Sequence, residues 1–394
     1  MFLFRKNTVF PVLLAVVCAA ALFAASPYAW AANKTTAEYQ ILATTMGGMQ
    51  GMHAPLTLQL DARGAPAPSG TQQAKHAIPP GMNMGKELPL LRSEQHTGQG
   101  EGGVQAGQEN WTMKIYWGCS KEVQKGQPIV ISPQEMKSGK GQIEKLVVGR
   151  GVWKGAPPAG WGWGQWPNRQ SSIPVPGGAS LKGDHLVTGN YLPDIKFNVA
   201  QHDFLPPLSV KIDGGDLKAA LPFSWQTVRG AIGYFAYAMA ANSAKKETII
   251  WTSSSKPCMG MMAHEHSTQV KKLIGDGVIM GPDKTSCIIP AGIFAGTEGA
   301  MVMMAAWGED YWASYPPRPA NAPKDWKPDW TVNALFLSQW MGMPGMPDME
   351  EIMRMRGATD PDQDEDYGKV EQTPARGGGR TRGGTGIPLP RVRF

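Results

Sequence analysis

The chain is short of charge, short of cysteine and, past its first residues, without any long apolar run. Charged side chains make up 18% of its 394 residues and nearly balance, 38 basic against 32 acidic. Much of the basic excess is local, because the last 19 residues hold Arg376, Arg380, Arg382, Arg391 and Arg393 and no acid. A nearly neutral body offers no electrostatic footprint for nucleic acid, which is not expected as a partner. The catalytic signatures that carry their own mechanics are missing as well. There is no G-x-S-x-G nucleophile elbow, no H-E-x-x-H, no C-x-x-C and no phosphate loop. Carboxylates remain numerous, and a fold can bring any two together, so a two-carboxylate hydrolase stands only as the third reading.

Residues 1–31 have the layout of a cleavable secretory signal. Arg5 and Lys6 precede an apolar stretch from Val9 to Phe23, interrupted only by Pro11, and Ala29-Trp30-Ala31 places small residues where a signal peptidase reads. Cleavage after Ala31 predicts a periplasmic or extracellular protein. The stretch is shorter than the roughly 20 residues a spanning helix needs, so no transmembrane segment is expected. Cys18 lies within it, but Val17 occupies the place where a lipoprotein signal wants a small residue. The mature chain then keeps three cysteines. Cys258 and Cys287 would close a loop of about 30 residues, worth about 3 kcal/mol, with Cys119 left over as a small apolar side chain.

Apolar residues recur mostly with a period of two. In Trp111 to Cys119, Trp111, Met113, Ile115 and Trp117 alternate with Thr112, Lys114 and Tyr116, and short runs at Leu56–Leu60, Pro128–Ile131, Leu146–Trp153, His185–Val187, Ile195–Val199 and Leu208–Ile212 follow suit. The expectation is an all-β protein with two β-sandwich-like domains in tandem. The first covers 32–205, with a Gly/Pro/Gln-rich insertion at 61–110 in which His76–Gly81 and Leu88–Leu90 supply anchors for a sheet. The second covers 206–315. Residues 316–394 read as a Pro/Met-rich linker with one short helix at Val332–Trp340, then an acidic cluster from Asp360 to Asp366, then a disordered Arg/Gly-rich tail. Gly98–Gly103 matches G-x-G-x-x-G, but neither strand nor helix flanks it, so it is set aside as chance.

Leu221-Pro222-Phe223-Ser224-Trp225, then Gly230-Ala231-Ile232-Gly233-Tyr234, then alternation through Ala240 and Thr248–Thr252, resemble the opening strands of a fibronectin type III domain. The resemblance covers about 45 residues and departs after Thr252, where the loop Ser253–Gly277 is longer than usual. Strands at Ser286–Ile289 and Ala300–Trp307 would complete the sandwich. What the resemblance implies is a domain for spacing or binding, since such a fold carries no catalytic site of its own. Through Lys114–Cys119 and Gly164–Asn168 the first domain is also similar to uncharacterised exported proteins of Gram-negative bacteria.

Methionine stands out, at 22 residues, in runs that mix with histidine. One cluster is Met46, Met49, Met52 and His53, among glycines. A second is Cys258, Met259, Met261, Met262, His264 and His266. A third is Met341, Met343, Met346 and Met349, with Met353 and Met355 beyond. Thioether sulfur suits Cu(I) or Ag(I), and imidazole can hold Cu(II). The Met-Gly-Met and Met-Pro-Gly-Met runs resemble those of periplasmic copper-resistance proteins. The competing account makes these methionines gap-fillers, and Met301, Met303 and Met304 read as strand core. Trp153, Trp161, Trp163 and Trp166 form a tryptophan-rich stretch expected to be buried rather than displayed. The leading functional expectation is an exported, non-catalytic binding or interaction protein with an unknown protein or envelope component as partner and no required cofactor. The alternative is a copper or silver binder using the Met/His loops.

Overall fold

The computed structural model describes residues 36–48, 55–92, 110–138, 142–149, 151–152, 157–260 and 263–345. The signal segment, the Gly98–Gly103 run, Trp153, the acidic cluster and the arginine-glycine tail lie outside the described residues. The strands run in chain order as β1 (Ala37–Gly48), β2 (Leu56–Gly64), β3 (Ala74–Ala77), β4 (Glu87–Leu90), β5 (Thr112–Trp117), β6 (Ile129–Ile131), β7 (Val147–Val148), β8 (Gly162–Trp166), β9 (Gly183–Gly189) and β10 (Ile195–Val199). They continue with β11 (Val210–Ile212), β12 (Leu221–Trp225), β13 (Ala231–Asn242), β14 (Glu247–Thr252), β15 (Cys258–Met259), β16 (Ser286–Ile289), β17 (Ala300–Gly308), β18 (Tyr311–Tyr315) and β19 (Trp330–Gly342). Two short α-helices, α1 (Pro133–Ser138) and α2 (Ser267–Gly275), and two 3-10 turns, Pro80–Met82 and Gln142–Lys145, complete the set. The protein is all-β, as the period-two pattern predicts. No helix among the described residues is long and apolar enough to cross a membrane.

One large mixed sheet organises the molecule, in the order β6-β5-β14-β13-β17-β19-β1-β2-β8, with β18 also paired to β19. Its inner face is covered by two smaller antiparallel sheets, β10-β9-β3-β4 over the β1 end and β11-β12-β16 over the β13 end. Strands from 32–205, from 206–315 and from beyond 316 are thus hydrogen-bonded into one sheet, and the divisions at 205/206 and 315/316 do not separate sheets.

The residues predicted to form a helix at Val332–Trp340 instead form most of β19, the strand that joins the halves. It runs parallel to β1 from Ala37↔Trp330 to Gly48↔Met341 and antiparallel to β17 from Val302↔Gly342 to Trp307↔Leu337. Val332 through Ser338 are all buried. A strand covered on both faces loses the polar alternation that marks half-buried strands, and its nearly continuous apolar run invites a helical reading. Within the stretch read as an insertion, residues 61–92 join the fold, and the anchors at His76–Gly81 and Leu88–Leu90 lie in or beside two strands of a sheet. β2 extends through Gly64, β3 and β4 follow, and Ala74, Ile78, Met82, Met84, Leu88 and Leu90 belong to the core. Apart from Gly64 and Pro89, its glycines and prolines lie between the strands.

The core beneath β1 is partly polar, and hydrogen bonds link its two histidines to Tyr39 and to the backbone. With both imidazoles neutral, Leu181 O, which can only accept, fixes the direction of a buried chain: His185 Nε2 donates to it at 2.8 Å, His76 Nε2 donates to His185 Nδ1 at 2.9 Å, and the Tyr39 hydroxyl donates to His76 Nδ1 at 2.8 Å. Burial holds the His76 pKa well below the ordinary histidine value and lowers that of His185. In the tryptophan stretch, Trp163 and Trp166 are buried and Trp161 is half-buried.

The disulfide joins Cys119 to Cys287, 168 residues apart, and not Cys258 to Cys287. The reason is topological. Cys287 lies in β16 on the inner side of the large sheet, where the chain leaving β5 crosses to it and Ser120 N donates to Ile288 O at 3.1 Å. Cys258 lies on the outer side, packed with Phe235, Trp307 and Leu337, as a buried free thiol. The sheet itself stands between the two cysteines that the shorter loop would have paired.

Candidate functional site

Alternation along β13, β17 and β19 divides their side chains between the two faces of the large sheet. Tyr234, Ala236, Ala238 and Ala240 of β13, and Ala300, Val302, Met304 and Ala306 of β17, point into the main core. The intervening residues point outward: Phe235, Tyr237 and Met239, then Met301, Met303, Ala305 and Trp307, then Leu337, Gln339 and Met341.

One end of this outer face is sealed. α2 and the residues after it lay Val270, Leu273, Val278 and Ile279 over Phe235, Ala305, Trp307 and Leu337. The helix is anchored at its start by Asp310, which accepts from Ser267 Oγ and, at 3.0 Å, from His266 Nδ1. Burial alone would raise the Asp310 pKa, but the hydrogen bonds from Ser267 and His266 outweigh it and hold the carboxyl below its ordinary value. A carboxylate at a helix N-terminus is also favoured by the helix dipole. Asp310 reaches this position through a bulge. Between the pairs Trp307↔Leu337 and Tyr311↔Ala334, residues 308–310 oppose only 335 and 336, one residue too many for regular pairing. His266, half-exposed, also lies 6.3 Å from the ring of Trp312, which is one of the most exposed aromatic side chains described.

The second predicted Met/His cluster lies at this sealed end, and its described members are directed to different partners. Cys258 is fully buried, and burial pushes its thiol pKa up to about 12, so it is an inert thiol. Met259 packs beside the Ile115–Ile250 cluster. His264 is turned toward β1, with Nε2 3.2 Å from Thr44 Oγ1 and 3.4 Å from Ala43 O, and burial pushes its pKa down to about 4. His266 is held by Asp310 instead. Cys258, His264 and His266 are not brought to a common point, and among the described residues no group of three or more His, Cys, Asp or Glu side chains is arranged to hold a metal ion. Met261 and Met262 lie outside the described residues, as do Met49, Met52 and His53 of the first cluster and Met346, Met349, Met353 and Met355 of the third.

Among the described residues no helix covers the other end of the outer face, and methionine predominates there. Met239 is directly opposite Met301, and Met303 is directly opposite Met341. Met239, Met301 and Met303 are half-buried, while Met341 is 39% and Met343 49% exposed. Met343 folds back toward Gly299, at the start of β17. Met46 lies on the same outer face of β1, opposite Gln339. The sequence reading placed Met301, Met303 and Met304 together in the core. Only Met304 is there, fully buried. The signal that separates them was present, because a strict period of two puts Met301 and Met303 on one face and Met304 on the other. Met239, in the middle of a long apolar strand, carried no local mark.

Comparison with known proteins finds no family model that matches the chain and no curated protein that matches it.

Proposed function

We propose that this chain is an exported, non-catalytic binding protein whose binding face is the open, methionine-lined end of the large sheet's outer face. One observation carries the reading. Where one face of an antiparallel sandwich meets water its side chains are ordinarily polar, but here Met239, Met301, Met303 and Met341 are partly or well exposed together, with only Tyr237 and Gln339 as half-buried polar neighbours on the same three strands. A contiguous exposed apolar patch marks an interaction site more often than chance, and flexible methionine is the side chain that adapts to what it meets.

The surroundings support this. Of the nine strands between 206 and 345, seven divide into β11-β12-β16 and β14-β13-β17-β19, facing across a core in which Trp225 and Tyr234 pack with ring centroids 5.5 Å apart. That division is in keeping with a fibronectin type III-like sandwich, a scaffold for presenting surfaces. The Cys119–Cys287 disulfide accords with an oxidising compartment.

The test is methyl NMR of the mature protein labelled at methionine, with unfractionated envelope extract added. The methyls of Met239, Met301, Met303 and Met341 are expected to shift or broaden, while those of buried Met82, Met84 and Met304 stay in place. If no face methyl responds, the binding face is wrong. If the chain produced with residues 1–31 stays in the cytoplasm at full mass, export is wrong.

A further inference from the structure

The four open methionines form a small lattice on a stiff support. Directly opposed residues of neighbouring strands have Cβ atoms about 4.5 to 5.5 Å apart, and residues two apart on one strand are separated by about 6.5 to 7 Å. Met239–Met301 and Met303–Met341 are opposed pairs, and Met301 and Met303 are two apart on β17, the strand the pairs share. Each side chain is unbranched with three rotatable bonds, so the sulfurs of Met301 and Met303 can be aimed at one point together with that of either Met239 or Met341 without moving the backbone, whereas Met239 and Met341, two strands apart and offset by two residues, are rooted too far apart to hold the same ion. We infer that this lattice is a site for a soft monovalent metal ion, Cu(I) or Ag(I); the inference rests on the reading that this face binds.

Residue type is what separates a metal site from a merely apolar patch. Strand positions on a half-buried face are normally filled by β-branched or aromatic residues, and the sealed end of the same strands follows that habit with Phe235, Trp307 and Leu337. Toward the open end four outward positions are thioethers, beside half-buried Tyr237 and Gln339. Neutral thioether sulfur has little affinity for hard cations, which require several oxygen ligands, and it selects Cu(I) and related soft ions. No thiolate is needed, and the nearest free thiol, Cys258, is sealed away with its proton retained. The position of β17 between β13 and β19 holds the ligands on paired strands, which favours a preorganised site over a loop that must order on binding. The site is thus distinct from the 258–266 segment that the sequence pattern singles out.

Titration of the mature protein with Cu(I), under ascorbate and without oxygen, against a chromophoric Cu(I) chelator is the direct test, with Ag(I) followed in parallel by methionine methyl NMR. A single tight equivalent is expected, shifting the methyls of Met301 and Met303 together with that of Met239 or Met341. The double variant Met303→Leu, Met341→Leu keeps the volume and apolarity of the face and is expected to weaken binding by an order of magnitude or more. The combined variant Met259→Leu, Met261→Leu, Met262→Leu, His264→Gln is expected to leave it within a small factor. Loss of binding in that second variant, or retention in the first, overturns the assignment, and so does absence of any tight equivalent. If the metal leaves the face methyls unmoved while envelope extract shifts them, the metal inference fails and the binding face stands. If neither moves them, both fail.

Discussion

The two ends of the outer face are built on the same three strands and differ in what covers them. At the sealed end, Trp307 is 1% exposed and its Nε1 donates to Ala263 O at 2.9 Å, beneath a helix tied down through Asp310. A few residues along the same strands, Met303 and Met341 stand uncovered by any helix among the described residues. The strands do not decide this. The segment 258–280 and its anchor do, and the side chains have followed: rigid aromatic and branched residues where the cover is resident, flexible thioethers where it is not. A permanent contact rewards side chains with few rotamers, whereas a surface that meets its ligand intermittently rewards ones that adapt.

The largest effect that would break this comparison belongs to the sealed end. Trp307→Ala removes a buried ring and its hydrogen bond, and a loss of about 3 to 5 kcal/mol in unfolding free energy is expected from urea denaturation. Met303→Ala, half-buried and at the open end, is expected to cost about 1 kcal/mol by the area it withdraws from water. Equal costs would mean that the open end is core after all.

Acid should separate the ends next. His264 belongs to the sealed end, and its pKa is about 4 in the fold against 6.5 for an unperturbed imidazole, because burial disfavours the charged ring more than the Ala43 carbonyl favours it. Below pH 6.5 the unfolded chain takes up a proton that the folded chain refuses, so stability falls as pH drops from about 6.5 to about 4 and levels off below. The interval of 6.5 minus 4 corresponds to about 3 kcal/mol at most. His76 and His185, lowered by burial in the other half of the molecule, act with the same sign, so His264→Gln should reduce the acid slope without abolishing it. Urea unfolding at neutral and acidic pH reads this, and wild-type stability that rises on acidification would refute it. The methionine lattice has no group that titrates in this range, so open-end variants should leave the slope unchanged.

How much of this was legible depended on whether the deciding interaction was local. Half-buried strands such as β5 and β10 announce themselves by alternation, and Ile195, Phe197 and Val199 are buried while Lys196 and Asn198 are not. β19 did not, because both its faces are covered, and its parallel pairing with β1 joins residues 293 positions apart, for which no local signal exists. The disulfide failed for a related reason. Proximity along the chain favoured Cys258 with Cys287, but a sheet lies between them, and only the path of the chain after β5 brings Cys119 across. Of the site, the richness in methionine was plain and its assembly was not. Met239, Met301 and Met341 come from three strands whose register only the fold supplies, and the bulge that aims Asp310 at Ser267 has no motif.

The smallest expected effect is the one that sharpens the comparison most. Met303→Leu exchanges one unbranched apolar side chain for a branched one of similar volume, and in a half-exposed position such a swap should change stability by less than about 1 kcal/mol. Leu337→Met makes the reverse exchange at the sealed end, where Leu337 is buried among Phe235, Trp307 and the α2 side chains. There the added flexibility must be frozen out against close-packed neighbours, so a measurably larger loss is expected from the same chemistry read backwards. Thermal and urea unfolding of the two single variants, side by side, therefore compare environments rather than residues. If Met303→Leu proves the costlier of the two, the thioether is fixed in a packed contact and the open end is not an adaptable surface.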